Sequence, residues 1–282
     1  MRWKASPNAG GFRKGPPVFG PPFLSLQGTF HFECVAKPFK AAHSALSMST
    51  PSAAPQPLTD VTCVVFDCDG VLVDAVSSWR TLHDHFGTDN SANLQRFIRG
   101  EISDSEFMRL DIKKWKSIED PIHREDLFRA YAGVQLIAGA RELVERLQQR
   151  GIFVAIVSAG VDLFVASIAA MLKVDDWIAN GFEFDKDGYL SDDGVCRLHA
   201  SGKGDVISRL MQMHGFAADE IVSVGDSEMD LSMMIDGSHF IGFNPSRESS
   251  LEAFTKADVP IVTERDLSRI LDYIHFPSSE GN

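Results

Sequence analysis

The sequence predicts an α/β protein, a doubly wound and mainly parallel sheet carrying an all-helical insertion. Three observations lead there. From Val61 onward, short apolar runs rich in β-branched residues alternate with amphipathic helical stretches. One long segment, 75–135, breaks that alternation with helical patterns and no convincing strand. Three polar residues from distant segments, Asp67, Ser158 and Asp226, stand at the carboxyl ends of expected strands, where such sheets bind their ligands.

Each element follows from its pattern. "VTCVVFD" (61–67) is a β-rich run long enough for a fully buried strand. "GARELVERLQQRG" (139–151) is an amphipathic helix closed by a glycine, and "IFVAIVS" (152–158) is a second buried strand. "VDLFVASIAAML" (161–172) and "GDVISRLMQMHG" (204–215) read as helices. "FEFDKDGYLSDDG" (182–194) has a Lys-Asp-Gly turn between alternating arms and reads as a β-hairpin. "IVSVGD" (221–226), "HFIGF" (239–243) and "ADVPIV" (257–262) supply further strands. "DLSMMID" is a short helix and "ERDLSRILDYI" (264–274) a closing one. Inside the insertion, "VSSWRTLHDHF", "SANLQRFIRG", "DSEFMRLDIKKW" and "REDLFRAYAG" are helical, and Ser103 with Glu106 has the spacing of a capping box.

The expected organisation is a core made of 58–74 and 136–276, a helical cap over 75–135 hanging above the crevice, and a tail over 277–282. Residues 1–57 look different. "NAGGFRKGPPVFGPPF" and "SMSTPSAAPQP" have no helix or strand period and are expected to be disordered. The basic, acid-poor opening permits a transit peptide but lacks an Arg-rich amphipathic helix. The plainer expectation is a misassigned start, with Met48 as the true first residue.

Composition narrows the function. The 282 residues carry a net charge of −12, yet residues 1–47 hold six Lys/Arg against Glu33 alone, so the remainder is strongly acidic. Phosphate backbones need cationic cover, so the acidic surface argues against nucleic acid and none is expected as a partner. No apolar run reaches the roughly 18 residues of a membrane span. Cys34, Cys63, Cys68 and Cys196 show neither zinc-type spacing nor a disulfide framework, which points to a reducing, cytoplasmic setting.

"VVFDCDGVLVD" (64–74) drives an apolar strand into two carboxylates one residue apart. Their charges repel and a buried strand solvates neither, so something positive is expected between them. Singly, each polar residue has an ordinary explanation. An Asp-x-Asp is usually a turn, Ser158 an end-of-strand serine, Lys203 a solvated lysine at a helix start, and Asp226 a helix N-cap. His83 and His85 lie on different sides of a helix and are better read as cap or surface residues than as metal ligands. The pleat sends Cys68 away from the acids, into packing. Cap aromatics and methionines are read as the cap's own core.

Together, "DCDGV" (67–71), "VSAG" (157–160), Lys203 in "SGKGD" and "GDSEMD" (225–230) resemble the four signature motifs of the haloacid dehalogenase superfamily, in order, over about 61–275. The helical insertion is similar to the cap of its phosphoserine phosphatase-like branch. The resemblance implies a Rossmann-like core and a phosphatase that forms an aspartyl-phosphate. Asp67 would be the nucleophile and Asp69 the general acid and base. Ser158, Lys203 and backbone N–H groups around Ala159 and Gly160 would meet the phosphate oxygens. Asp67, the Asp69 carbonyl and Asp226 would bind Mg²⁺, a set of hard oxygens that suits it, with Asp230 supporting or holding Lys203.

The motifs depart from that branch around the substrate. Val76 stands where phosphoserine phosphatases carry a glutamate for the substrate amine. The cap arginine for the substrate carboxylate falls near Leu110 or Asp111, leaving Arg109 as a candidate in its place. Ala159 replaces the first glycine of Ser-Gly-Gly, and Met229 an asparagine. The expectation is a Mg²⁺-dependent phosphatase, monomeric or homodimeric, acting on a small phosphorylated metabolite, with phosphoserine the first compound to try. A sugar- or polyol-phosphate phosphatase is the alternative within the same chemistry. A phospho-accepting receiver domain is a third reading, weakened by the long helical insertion and by the spacing of Asp67 and Asp69.

Overall fold

Four residues, Cys63–Phe66, form the central strand β1, and all four are fully buried. The computed structural model describes residues 58, 60–245 and 247–274; the segments expected as an N-terminal extension (1–57) and a tail (277–282) lie outside them. Strand β1 pairs in parallel with β2 (Phe153–Val161) on one side and β5 (Ile221–Gly225) on the other. Beyond β2 come β3 (Asp176–Phe184) and antiparallel β4 (Leu190–Val195). Beyond β5 come β6 (His239–Phe243) and β7 (Ile261–Val262), giving the order β4-β3-β2-β1-β5-β6-β7. The chain winds one way from β1 through β4 and the other way from β5 to β7. The strand order therefore reverses beside β1, and a crevice opens at the carboxyl ends of β1, β2 and β5.

The insertion supplies helices α1 (Ser78–Phe86), α2 (Ser91–Ile98), α3 (Asp104–Lys116) and α4 (Arg124–Arg129). Trp79 stacks on Trp115 at 6.1 Å, and Phe182 of β3 sets its edge against both rings. The cap aromatics thus form one apolar body with the core sheet, which fixes the cap over the crevice. His83 is buried inside the cap and accepts the Trp115 indole N–H on Nδ1 at 3.1 Å, while His85 is exposed. Cys68 packs in the hydrophobic core. Helices α5 (Ala140–Gln148), α6 (Asp162–Leu172), α7 (Gly204–His214) and α8 (Glu248–Lys256) are the remaining α-helices among the described residues. Among the described residues, no helix is long and apolar enough to cross a membrane.

Several elements differ from the sequence reading. The hairpin arm expected to begin at 182 begins at Asp176, because Asn180 and Gly181 continue the strand instead of breaking it. A Cβ at Gly181 would lie 2.0 Å from the Asp162 carboxyl carbon, so only glycine lets β3 pass there. Helix α8 has no expected counterpart, since only Ser250 and Phe254 of its nine residues are buried and the apolar period is faint. "DLSMMID" and the closing helix are 3₁₀ turns, Glu228–Met233 and Leu267–Asp272. Ser103 accepts the Glu106 N–H at 3.2 Å, but the Glu106 carboxylate binds Arg109, so only half of the capping box forms.

Candidate active site

Asp67 leaves β1 with its N–H donated to the Val224 carbonyl at 2.9 Å, so the neighbouring strand fixes its backbone. The chain then turns back under itself, with the Cys68 carbonyl accepting the N–H groups of Val71, Leu72 and Val73. Gly70 enables that turn. Its φ is +77°, and a Cβ there would lie 2.5 Å from Asp226 Oδ2, so its missing side chain lets Asp226 close in from β5.

Asp69 points into the same crevice. Its Oδ2 accepts two hydrogen bonds from Ser78, the N–H and the Oγ hydroxyl, each at 2.7 Å. The Ser78 Oγ in turn accepts the Val161 N–H at 2.9 Å, and its carbonyl accepts the Tyr131 hydroxyl at 3.2 Å. The first turn of α1 is thus stitched both to the end of β2 and to Asp69. Gly160 permits this approach, since a Cβ there would lie 2.6 Å from Ser78 Oγ and 2.8 Å from Asp69 Oδ2. The other oxygen, Asp69 Oδ1, is buried and has no hydrogen-bond donor.

Lys203, 2% exposed, stands at the amino end of α7. Its Nζ lies 2.6 Å from Asp230 Oδ1 and 3.0 Å from Asp67 Oδ1, the latter by charge without a well-directed hydrogen bond. Asp230 Oδ2 accepts the N–H groups of Asp226 and Ser227 and the Ser227 hydroxyl, which locks the turn after β5. Carboxylate oxygens of Asp67, Asp226 and Asp230 all lie within 4.8 Å of one another. Ser158 is buried beside them and its Oγ accepts the Gly160 N–H at 3.1 Å.

Four carboxylates therefore face one lysine, and the ionisation responds. Burial pushes Asp67 up to about 7; Lys203 opposes that shift, and Asp230 and Asp69 add to it. Asp226 is pushed up to about 8 by burial and by the charges of Asp230 and Asp67. Burial pulls Lys203 down, but the attraction of Asp230 and Asp67 outweighs it and the ammonium is held charged. This excess of buried negative charge, with carboxylate oxygens of Asp67 and Asp226 close together, fits a hard divalent cation.

The site opens into a cavity of about 730 Å³. The sequence-selected Asp67, Asp69, Ser158, Ala159, Gly160, Lys203, Asp226, Asp230 and Val76 all line it. Arg109 does not; its guanidinium sits on an exposed face, paired with Glu106 one turn earlier. Asp111 is likewise turned inward, toward His83 and Asn90 in the cap interior. Of the side chains expected as cap core, Met108 is buried in it while also touching the cavity, and half-buried Phe97 and Phe107 line the cavity. Sequence reasoning missed Ser78. Its only signal was a Ser-Ser pair before an amphipathic helix, an N-cap signature in which Ser77 takes the cap position and Ser78 turns to Asp69.

The model of the haloacid dehalogenase-like hydrolases matches residues 64–234, a stretch that contains every one of these acids and Lys203. The chain belongs to that family. It is 30% identical over 183 residues to the phosphoserine phosphatase of Archaeoglobus fulgidus, a match covering 64% of this chain and 52% of that protein. It is 31% identical over 164 residues to the phosphoserine phosphatase of Methanocaldococcus jannaschii, covering 58% of this chain and 75% of that one. The chain thus spans about half the length of the first of these relatives. A substrate-bound phosphoserine phosphatase structure superposes with a TM-score of 0.63 at 26% identity, over 76% of this chain and 99% of that one. The seven-stranded core and its crevice are the fold shared with these haloacid dehalogenase-like relatives.

Proposed function

We propose that the protein is a Mg²⁺-dependent phosphatase that hydrolyses a small phosphate monoester through an aspartyl-phosphate on Asp67. One observation carries this reading: Asp67, Asp226 and Asp230 gather at one sheet edge around a single buried ammonium, Lys203. When bound among Asp67, the Asp69 carbonyl and Asp226, the cation neutralises charge on the phosphoryl oxygens. An Asp67 oxygen attacks phosphorus, and the ester P–O bond breaks on the opposite side. The departing oxygen takes a proton from Asp69. Because both Ser78 donors occupy Oδ2, that proton resides on Oδ1. Asp69 then removes a proton from water, whose oxygen attacks the phosphorus and frees Asp67 and phosphate. Lys203 and the Ser158 hydroxyl meet the phosphoryl oxygens, and Asp230 is a positioning residue that holds Lys203 in place.

Phosphoserine is the first substrate to test, because the curated relatives carry that name. A second reading, a sugar or polyol phosphate, is favoured by Val76, which is 81% exposed at the cavity and offers no charge to an ammonium group. The cavity is also large for phosphoserine and carries apolar Leu94, Phe97 and Ile98. A panel of purified phosphate monoesters with Mg²⁺, compared by kcat/KM, separates the two. A stable phosphoprotein that releases no phosphate would instead support the receiver-domain reading and overturn the hydrolase.

A further inference from the structure

A second cluster of ligand atoms lies away from the acids, where the cap meets the sheet domain. We propose that Asp104, Cys196 and His199 form a metal site for a zinc-class transition ion that ties the helical cap to the core. Asp104 is the first residue of α3, in the cap, whereas Cys196 and His199 lie on the loop that follows β4. A carboxylate oxygen, the thiol sulfur and an imidazole nitrogen from these residues lie within 4.8 Å of one another. His199 Nδ1 is 2.8 Å from Asp104 Oδ2, a partner 95 residues away. Asp104 Oδ1 accepts the Ala200 N–H at 3.2 Å.

The loop that presents the two core ligands is held from beneath. Asn180, buried in β3, accepts the N–H groups of Arg197 and Leu198 on Oδ1 at 2.8 and 3.0 Å. Its amide donates to the Leu198 carbonyl at 2.9 Å. Cys196 and His199 therefore project from a backbone of fixed shape, which lowers the ordering cost of ligation. The Asp104 side chain is 17% exposed and that of His199 60%, so ions reach the cluster from one side and water can complete a tetrahedron.

The donor chemistry separates this cluster from the acids around Asp67. Sulfur, imidazole nitrogen and one carboxylate suit zinc, whereas an all-oxygen set suits magnesium. Bond lengths of about 2.0–2.3 Å hold tetrahedral donors about 3.3–3.5 Å apart, so His199 Nδ1 and Asp104 Oδ2, now 2.8 Å apart, must separate slightly while the Cys196 sulfur stays within or closes to that spacing. Burial pushes the Cys196 thiol up to about 11, with the Asp104 charge adding, so the ion must displace the thiol proton as it binds. The ordinary alternative is a cap-to-loop hydrogen bond between His199 and Asp104, with Cys196 an incidental neighbour. Asp104 and Ala200 also line the cavity above Asp67, so an ion here would clamp one wall of the entrance whatever the substrate.

Cobalt(II) tests this directly, because a thiolate ligand gives a near-ultraviolet charge-transfer band that oxygen ligands do not. The full chain, with Mg²⁺ in excess, is titrated with Co²⁺ and then with Zn²⁺. The band is expected to saturate at one equivalent and to vanish when Zn²⁺ displaces the cobalt. It should persist in Cys34→Ser, disappear in Cys196→Ser, and need at least tenfold more Co²⁺ in His199→Ala. Circular dichroism and thermal unfolding check that each variant is folded, and His199→Ala provides the test should Cys196→Ser fail to fold. Absence of the band, its survival in Cys196→Ser, or unchanged affinity in His199→Ala overturns the proposal.

Discussion

Replacing Ser78 with alanine should expose how Asp69 is made to serve as an acid. The hydroxyl donates to Asp69 Oδ2 at 2.7 Å while accepting the Val161 N–H at 2.9 Å. A hydrogen bond to a charged group contributes about 1.5–3 kcal/mol. The Ser78 N–H still reaches Oδ2 in the variant, which keeps the loss within that range. Taken wholly from the transition state, this corresponds to a fall of about 13- to 160-fold in kcat. The fall should depend on the leaving group. An alkyl phosphate needs the Asp69 proton, whereas p-nitrophenolate departs without one, so its kcat should drop by less than about threefold. KM should stay nearly constant for both, because Ser158 and Lys203 are untouched. Ser77→Ala is the control, as that side chain makes no cap hydrogen bond. The assay is steady-state kinetics on matched alkyl and aryl phosphates, alongside thermal unfolding. Equal losses on both substrates with a lowered Tm would show that Ser78 only supports the fold, equal losses at unchanged Tm would move its effect to the attack of water, and no loss on either would refute its hold on Asp69.

Other outcomes follow from the same geometry. Between the ordinary carboxylate value of 3.8 and the raised values of about 7 for Asp67 and about 8 for Asp226, the folded chain holds protons that the unfolded chain has released. Without metal, stability should therefore fall as pH rises through that window, and the rise in Tm caused by Mg²⁺ should grow from about pH 5 to about pH 8. A Mg²⁺-induced shift independent of pH would contradict the metal assignment. Gly70→Ala sets a Cβ 2.5 Å from Asp226 Oδ2 at a φ of +77°, so it should raise the Mg²⁺ concentration needed for half-maximal activity at least tenfold. An unaltered Mg²⁺ requirement would show that Asp226 does not hold the ion. Val76→Glu should raise kcat/KM for phosphoserine about tenfold relative to an amine-free analogue, the effect of one added charge pair. An unchanged ratio would place the amine elsewhere in the cavity.

The sheet was legible because buried strands write themselves as short apolar runs and flanking helices as periodic ones. The convergence of Asp67, Ser158 and Asp226 followed from their places at strand ends. What escaped were features decided by contacts distant in sequence. Asn180 and Gly181 look like a turn, yet Asn180 is buried to hold the 196–198 loop and Gly181 to clear Asp162. Ser78 looks like a helix cap, yet it binds a residue of the preceding loop. Arg109 was placed by matching positions across a gap, and such a match does not fix which face of α3 meets the cavity. On the exposed face, Glu106 one turn away captures the guanidinium. Phe97 and Phe107 face the cavity although their apolar spacing predicts a cap interior, because periodicity identifies a buried face without saying whether protein or substrate covers it.

Everything proposed about the reaction rests on a phosphoryl group passing through Asp67. Enzyme quenched during turnover and reduced with borohydride converts an acyl phosphate to homoserine, which peptide mass spectrometry locates. Homoserine should appear at residue 67 only when substrate and Mg²⁺ are both present, and Asp67→Asn should neither acquire it nor turn over p-nitrophenyl phosphate. Homoserine at another acid, or full turnover by Asp67→Asn, would contradict the account.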